Sequence, residues 1–153
     1  MVCKSSKSLC QNLSHLIFVF FLFSMFASCS DSIDITTPEN TAKSFWRALQ
    51  KKDIDAAVKF YLTVAEANQT FGPQVAGKWG ERLNREIRQL QNEHIPDVEN
   101  GKWDKFEIED SEYEYGHKMV EANIYFNKNG NTHRLGLAIV NIEDKVWKIT
   151  DVD

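Results

Sequence analysis

Cysteine is scarce and sits at one end. The chain has 3, at Cys3, Cys10 and Cys29, and none follows. The remainder has no thiol for a disulfide, a nucleophile or a Cys-based zinc site. Glycine (7) and proline (3) are few and scattered. They form no phosphate loop, dinucleotide fingerprint or Gly-x-Ser-x-Gly elbow. His94, His117 and His133 lie too far apart for the short-spaced ligand pair of a zinc site, so no metal is expected. Positive charge is also lacking. Lys and Arg number 18 against 22 Asp and Glu, a formal charge of −4. An acidic chain is a poor match for nucleic acid, whose phosphates demand a basic face. No apolar run approaches the roughly 20 residues that span a bilayer as a helix.

The longest apolar run is 16–27, Leu-Ile-Phe-Val-Phe-Phe-Leu-Phe-Ser-Met-Phe-Ala. Lys4 and Lys7 precede it, and the first acid is Asp31. A basic start, a short apolar core and small residues make a secretion signal. Phe26-Ala27-Ser28-Cys29 resembles a bacterial lipobox. The resemblance implies cleavage before Cys29, a diacylglycerol on its sulfur and acylation of the new amino terminus. Two or more acyl chains anchor stably where one holds marginally. Phe26 departs from the usual aliphatic residue. An ordinary cleaved signal or a short retained anchor would leave Cys29 incidental. Ser30 after the cysteine, by resemblance to enterobacterial sorting, points to the outer membrane. The division expected is a signal at 1–28, a tether at 29–36 and one domain at 37–153.

Within that domain the periodicity changes once. Thr37 reads as an N-cap with Pro38 at the first helical position, and Ala42, Phe45, Trp46 and Leu49 make an apolar stripe. Asp53 caps a second helix with Ile54, Ala57, Val58, Tyr61 and Leu62 inward. Residues 69–73 read as a break. A long helix over 74–93 carries Val75, Trp79, Leu83, Ile87, Leu90 and His94 on one face and stops at Pro96. From Trp103 the period is two. Phe106 and Ile108 alternate with acids, and Tyr113 and Tyr115 fall on the other parity, which predicts a bulge near 110–112. Val120, Ala122, Ile124 and Phe126 alternate next, and Asn129-Gly130 marks a hairpin turn. Residues 135–142 are apolar on both parities apart from Asn141, as a central strand covered on both sides would be. A last strand runs over 146–152.

Helices followed by an antiparallel meander give an α+β fold. At Thr37-Pro38-Glu39, Ala42, Phe45-Trp46, Ala48-Leu49, Asp53, Ala56-Ala57 and Val146-Trp147-Lys148-Ile149, the chain resembles the nuclear-transport-factor-2-like (cystatin-like) superfamily. It is similar to its small lipoprotein members. The resemblance implies a curved antiparallel sheet wrapped on N-terminal helices as a cone with an interior pocket. Its motifs are packing motifs, and its isomerase constellation has no residue-by-residue match here, so no catalytic residue and no cofactor is assigned.

Several side chains are candidates for a site. Phe45, Tyr61, Trp79, Trp103, Tyr115 and His117 are the candidate pocket residues, since aromatics with a few polar tips line apolar-ligand sites. The plainer reading is core packing. Asp151, with Tyr115 and His117, is a possible polar group near such a pocket. Glu107, Glu109, Asp110, Glu112 and Glu114 crowd one strand, as a solvated, edge-protecting surface or as a docking face for a basic partner. The expected function is a lipid-anchored, non-enzymatic binding module of the bacterial cell envelope. It sits at the outer membrane facing the periplasm and holds a small apolar ligand or an envelope protein. The alternatives are an isomerase or dehydratase using the cone pocket, and an accessory assembly subunit.

Overall fold

The computed structural model describes residues 33–153. The expected signal, Cys29 and the start of the expected tether lie outside the described residues. The segment just before the first helix is held: the Ile35 carbonyl accepts from Trp147 N at 2.9 Å, and Asp34 accepts from Thr36 and Asn40.

Helix α1 (Pro38–Gln50) begins as its sequence dictates. The Thr37 hydroxyl accepts from Asn40 N at 3.1 Å, and Pro38 takes the position where a missing N–H costs nothing. Asp53 caps α2 by accepting from Ala56 N at 2.9 Å, but α2 (Ile54–Val58) is one short turn. Tyr61 and Leu62, expected on that helix, are extended instead. Phe60 O accepts from Ile149 N and Leu62 N donates to Ile149 O, both at 2.9 Å. Pairing with an otherwise open strand edge displaces the helix there.

The expected break at 69–73 is narrower than read. Helix α3 (Val64–Phe71) precedes it, opened by a reciprocal capping box between Thr63 and Glu66. Gly72, at φ +85°, then turns the chain into α4 (Pro73–Gln89). The long helix does not reach residue 93 in regular form. A π turn (Leu90–His94) and a final turn, α5 (Ile95–Val98), follow it without a loop. Pro96 has no N–H to donate, which accords with the wider turn before it.

Four strands form one antiparallel sheet in sequence order: β1 (Lys102–Glu114), β2 (His117–Lys128), β3 (Asn131–Glu143) and β4 (Val146–Val152). Asn129 (φ 54°) and Gly130 (φ 82°) supply the left-handed pair of the β2–β3 hairpin. The β1 irregularities fall at Trp103/Lys105 and Ile108/Asp110, so the bulge starts slightly before the expected 110–112. Such bulges bend a sheet.

The larger core joins Phe45, Trp46 and Leu49 of α1 to Ile124, Phe126, Leu135, Leu137, Ile139 and Ile149, with Leu90, Ile95 and Val98 closing one end. A smaller core joins Leu62, Ala67, Ala76 and Trp79 to Val140. Strand β3 feeds both, as its double apolar parity requires. Helix α4 runs from the smaller core at Trp79 to the larger at Leu83 and beyond.

Candidate functional site

The six aromatic and imidazole candidates do not converge. Phe45 and Tyr61 are buried in the larger core and meet edge-on at 5.9 Å between centroids. Trp79 lies in the smaller core, donating its indole N–H to Leu62 O at 2.7 Å. Trp103 packs edge-on against Trp46 at 5.9 Å. Tyr115 and His117 flank the β1–β2 turn against Phe71. Tyr115 is 64% exposed, and His117 Nδ1 lies 3.0 Å from the Asn141 carbonyl oxygen. These side chains fill the interior or edge the surface.

What the fold does bring together is a polar cluster where α4 passes the edge of β4. Leu137 and Val152 are register partners between hydrogen-bonded rungs, so the Val152 backbone faces outward. The Glu86 and His94 side chains both lie against the Val152 backbone, whose dipoles act on each of them. Glu86 also lies beside Asp151, which pairs with Arg82 at 2.9 Å. Two acids so close share a proton more readily than they both ionise. Burial, with the Asp151 charge beside it, pushes the Glu86 carboxyl up to about 7. Burial pushes the Tyr61 hydroxyl up as well, with Glu86 and Asp151 adding to the effect. Burial holds His94 below its usual value, against the pull of nearby acids. Tyr61 Oη, Glu86 Oε2, His94 Nε2 and Asn123 Nδ2 are buried without a hydrogen-bond partner.

Sequence reasoning missed Glu86. It stands three residues after Leu83 and four before Leu90, on the helix face read as apolar, and that position was the available signal. Among the described residues, no group of three or more His, Cys, Asp or Glu side chains is placed to hold a metal ion. No helix among them is long and apolar enough to cross a membrane.

No family model, curated protein or solved structure matches this chain.

The second candidate is the open side of β1. Among the described residues, this 13-residue strand pairs only with β2. It carries six carboxylates, of Asp104, Glu107, Glu109, Asp110, Glu112 and Glu114. It also carries exposed apolar surface: Ile108 is 52% and Tyr113 77% exposed, and Tyr115 follows at the turn. Unpaired backbone, exposed apolar side chains and an excess of carboxylates coincide there, although Lys105 pairs with Glu107 at 2.6 Å and Arg134 lies 3.9 Å from Glu109.

Proposed function

We propose that the chain is a lipid-anchored cell-envelope domain of the nuclear-transport-factor-2-like type, without catalytic activity, that holds an envelope protein partner along β1. The lipobox at Cys29 and the helices-then-meander order support the address and the family. The observation that carries the binding role is the open β1 edge, where Ile108 and Tyr113 stand exposed among carboxylates. An extended basic segment adding as a fifth strand would satisfy that backbone, cover those side chains and neutralise the acids. The partner is favoured over the small apolar ligand because the expected pocket residues are spread over two cores and the β1–β2 turn and do not surround a common cavity.

A photo-crosslinking residue in place of Tyr113 in the full chain, expressed in its own cells, tests the role. One predominant adduct, with a Lys- or Arg-rich segment at the crosslink and lost on Ile108→Lys, is expected. No adduct, or one that Ile108→Lys leaves unchanged, overturns it. An inhibitor of lipoprotein signal peptidase should leave a heavier precursor, and unchanged migration removes the anchor.

The isomerase or dehydratase alternative has one observation in its favour: a carboxyl that titrates near neutrality beside the Tyr61 hydroxyl. Against it, Glu86 is only 5% exposed and Asp151 is engaged by Arg82. Proton exchange at carbon next to a ketone, lost in Glu86→Gln, would restore this reading.

A further inference from the structure

The open edge of β1 has two unlike faces, and its bulge makes them so. Directly opposed residues of neighbouring strands turn their side chains to one face. Phe106 stands opposite Ile124, Ile108 opposite Ala122, Ser111 opposite Val120 and Tyr113 opposite Lys118. Val120 and Ile124 belong to the larger core, so Ile108, Ser111 and Tyr113 lie on that side of the sheet. Glu107, Asp110, Glu112 and Glu114 stand opposite Asn123, Glu121, Met119 and His117, on the other side. The irregularity between Ile108 and Asp110 inserts one residue, Glu109. Without it, Ile108 and Tyr113 would point to opposite faces.

Backbone direction alternates along with the side chains. Tyr115 (φ 50°) and Gly116 (φ 82°) form a two-residue turn, across which Glu114 and His117 pair by hydrogen bonds. Alternation from there leaves the N–H and C=O of Tyr113 and Ser111 on the open side. Accordingly, the Ser111 N–H donates to Asp110 Oδ1, at 2.7 Å. That carboxylate occupies a donor that an added strand would need. Glu107 is engaged by Lys105, and Arg134 lies 3.9 Å from Glu109. Asp110, Glu112 and Glu114 have no ion-pair partner among the described residues.

We infer that the strand held on β1 is itself two-faced: apolar at alternate positions beside Ile108 and Tyr113, and Lys or Arg at the positions between, beside Asp110, Glu112 and Glu114. The inference rests on the docking role proposed above and names the chemistry of its partner. A basic side chain beside Asp110 draws that carboxylate off the Ser111 N–H, which then bonds the incoming strand. A neutral strand meets the donor already taken. Asp110 thus acts as a selective stop on the edge. Three cross-strand charge pairs together are worth about tenfold in affinity.

Titrating the full chain in detergent with three capped peptides, read by amide hydrogen exchange, tests this. Lys-Val-Lys-Val-Lys-Val-Lys has the alternation. Lys-Lys-Val-Val-Val-Lys-Lys has the same composition without it, and Ser-Val-Ser-Val-Ser-Val-Ser has the alternation without charge. The first should protect the Ser111 and Tyr113 amides and bind about tenfold more tightly than either of the others. Asp110→Ala, which frees the Ser111 N–H, should strengthen the neutral peptide about fivefold. Equal binding of the two basic peptides overturns the alternation, and an unchanged neutral peptide in Asp110→Ala overturns the stop. A crosslink at the Tyr113 position in cells, with none of the peptides bound, overturns this pattern and leaves the docking role standing. Loss of both the crosslink and the peptides removes the two together.

Discussion

At the scale of single residues, Glu86 departs furthest from what its chemistry prefers. An ordinary glutamate ionises near 4.5, and this one near 7. Between those values the unfolded chain has released the proton and the folded chain still holds it. Stability therefore falls as pH rises from about 4.5 to 7 and levels off above. His94 works in the opposite sense, because protonating a buried imidazole favours the unfolded chain as pH drops. Glu86→Gln isolates the first effect, since the amide keeps the shape. It should be more stable than the parent by about 1–2 kcal/mol at pH 8 and equal to it at pH 4, read by urea unfolding. The same pH slope in both proteins would contradict this account. Gly101 is constrained by space. A Cβ there would meet Phe126 Cδ2 at 2.7 Å and Trp46 Cη2 at 3.2 Å. Gly101→Ala should lower stability by about 1–3 kcal/mol in thermal or urea unfolding. Neither residue drew attention in the sequence, because a buried carboxylate on an amphipathic helix reads as one misplaced polar residue. A glycine before a strand likewise reads as an ordinary turn.

At the scale of elements, most of the fold was legible wherever the cause was local. The Thr37 and Asp53 caps, the Asn129-Gly130 turn, the alternation in β2 and the two-sided β3 follow from the residues themselves. The misses have distant causes. Nothing near Tyr61 announces that it will lie against Ile149, so the second helix was drawn too long. Helix α3 did have a local signal, the Thr63-x-x-Glu66 capping box, obscured by the polar stretch after it. Thr63→Ala removes the acceptor for Glu66 N at 3.2 Å and should cost about 1 kcal/mol. Because Trp79 packs with Ala67 of this helix in the smaller core, near-ultraviolet circular dichroism should weaken with it. The aromatic residues leave two readings open in the sequence, pocket or core packing, for a related reason. Apolar side chains at helical spacing look alike whether they meet a ligand or each other, and only the packing distinguishes them.

At the scale of the whole molecule, the proposed membrane address rests on one atom, the Cys29 sulfur. Replacing Cys29 with Ser should shift the protein from the detergent phase to the aqueous phase in a cloud-point separation, with folding unchanged by far-ultraviolet circular dichroism. Retention in the detergent phase would mean that another segment holds the membrane. The two borders of the sheet are unlike. Along β4, Trp147 N is taken by Ile35 and Ile149 by Phe60 and Leu62, and the side chains of Glu86 and His94 lie against Val152. Among the described residues, nothing comparable closes the row along β1. Growth by strand addition can thus proceed from one side only. Two copies meeting there would consume each other's sole growing end, so self-assembly by that route halts at a pair and cannot propagate into a fibril.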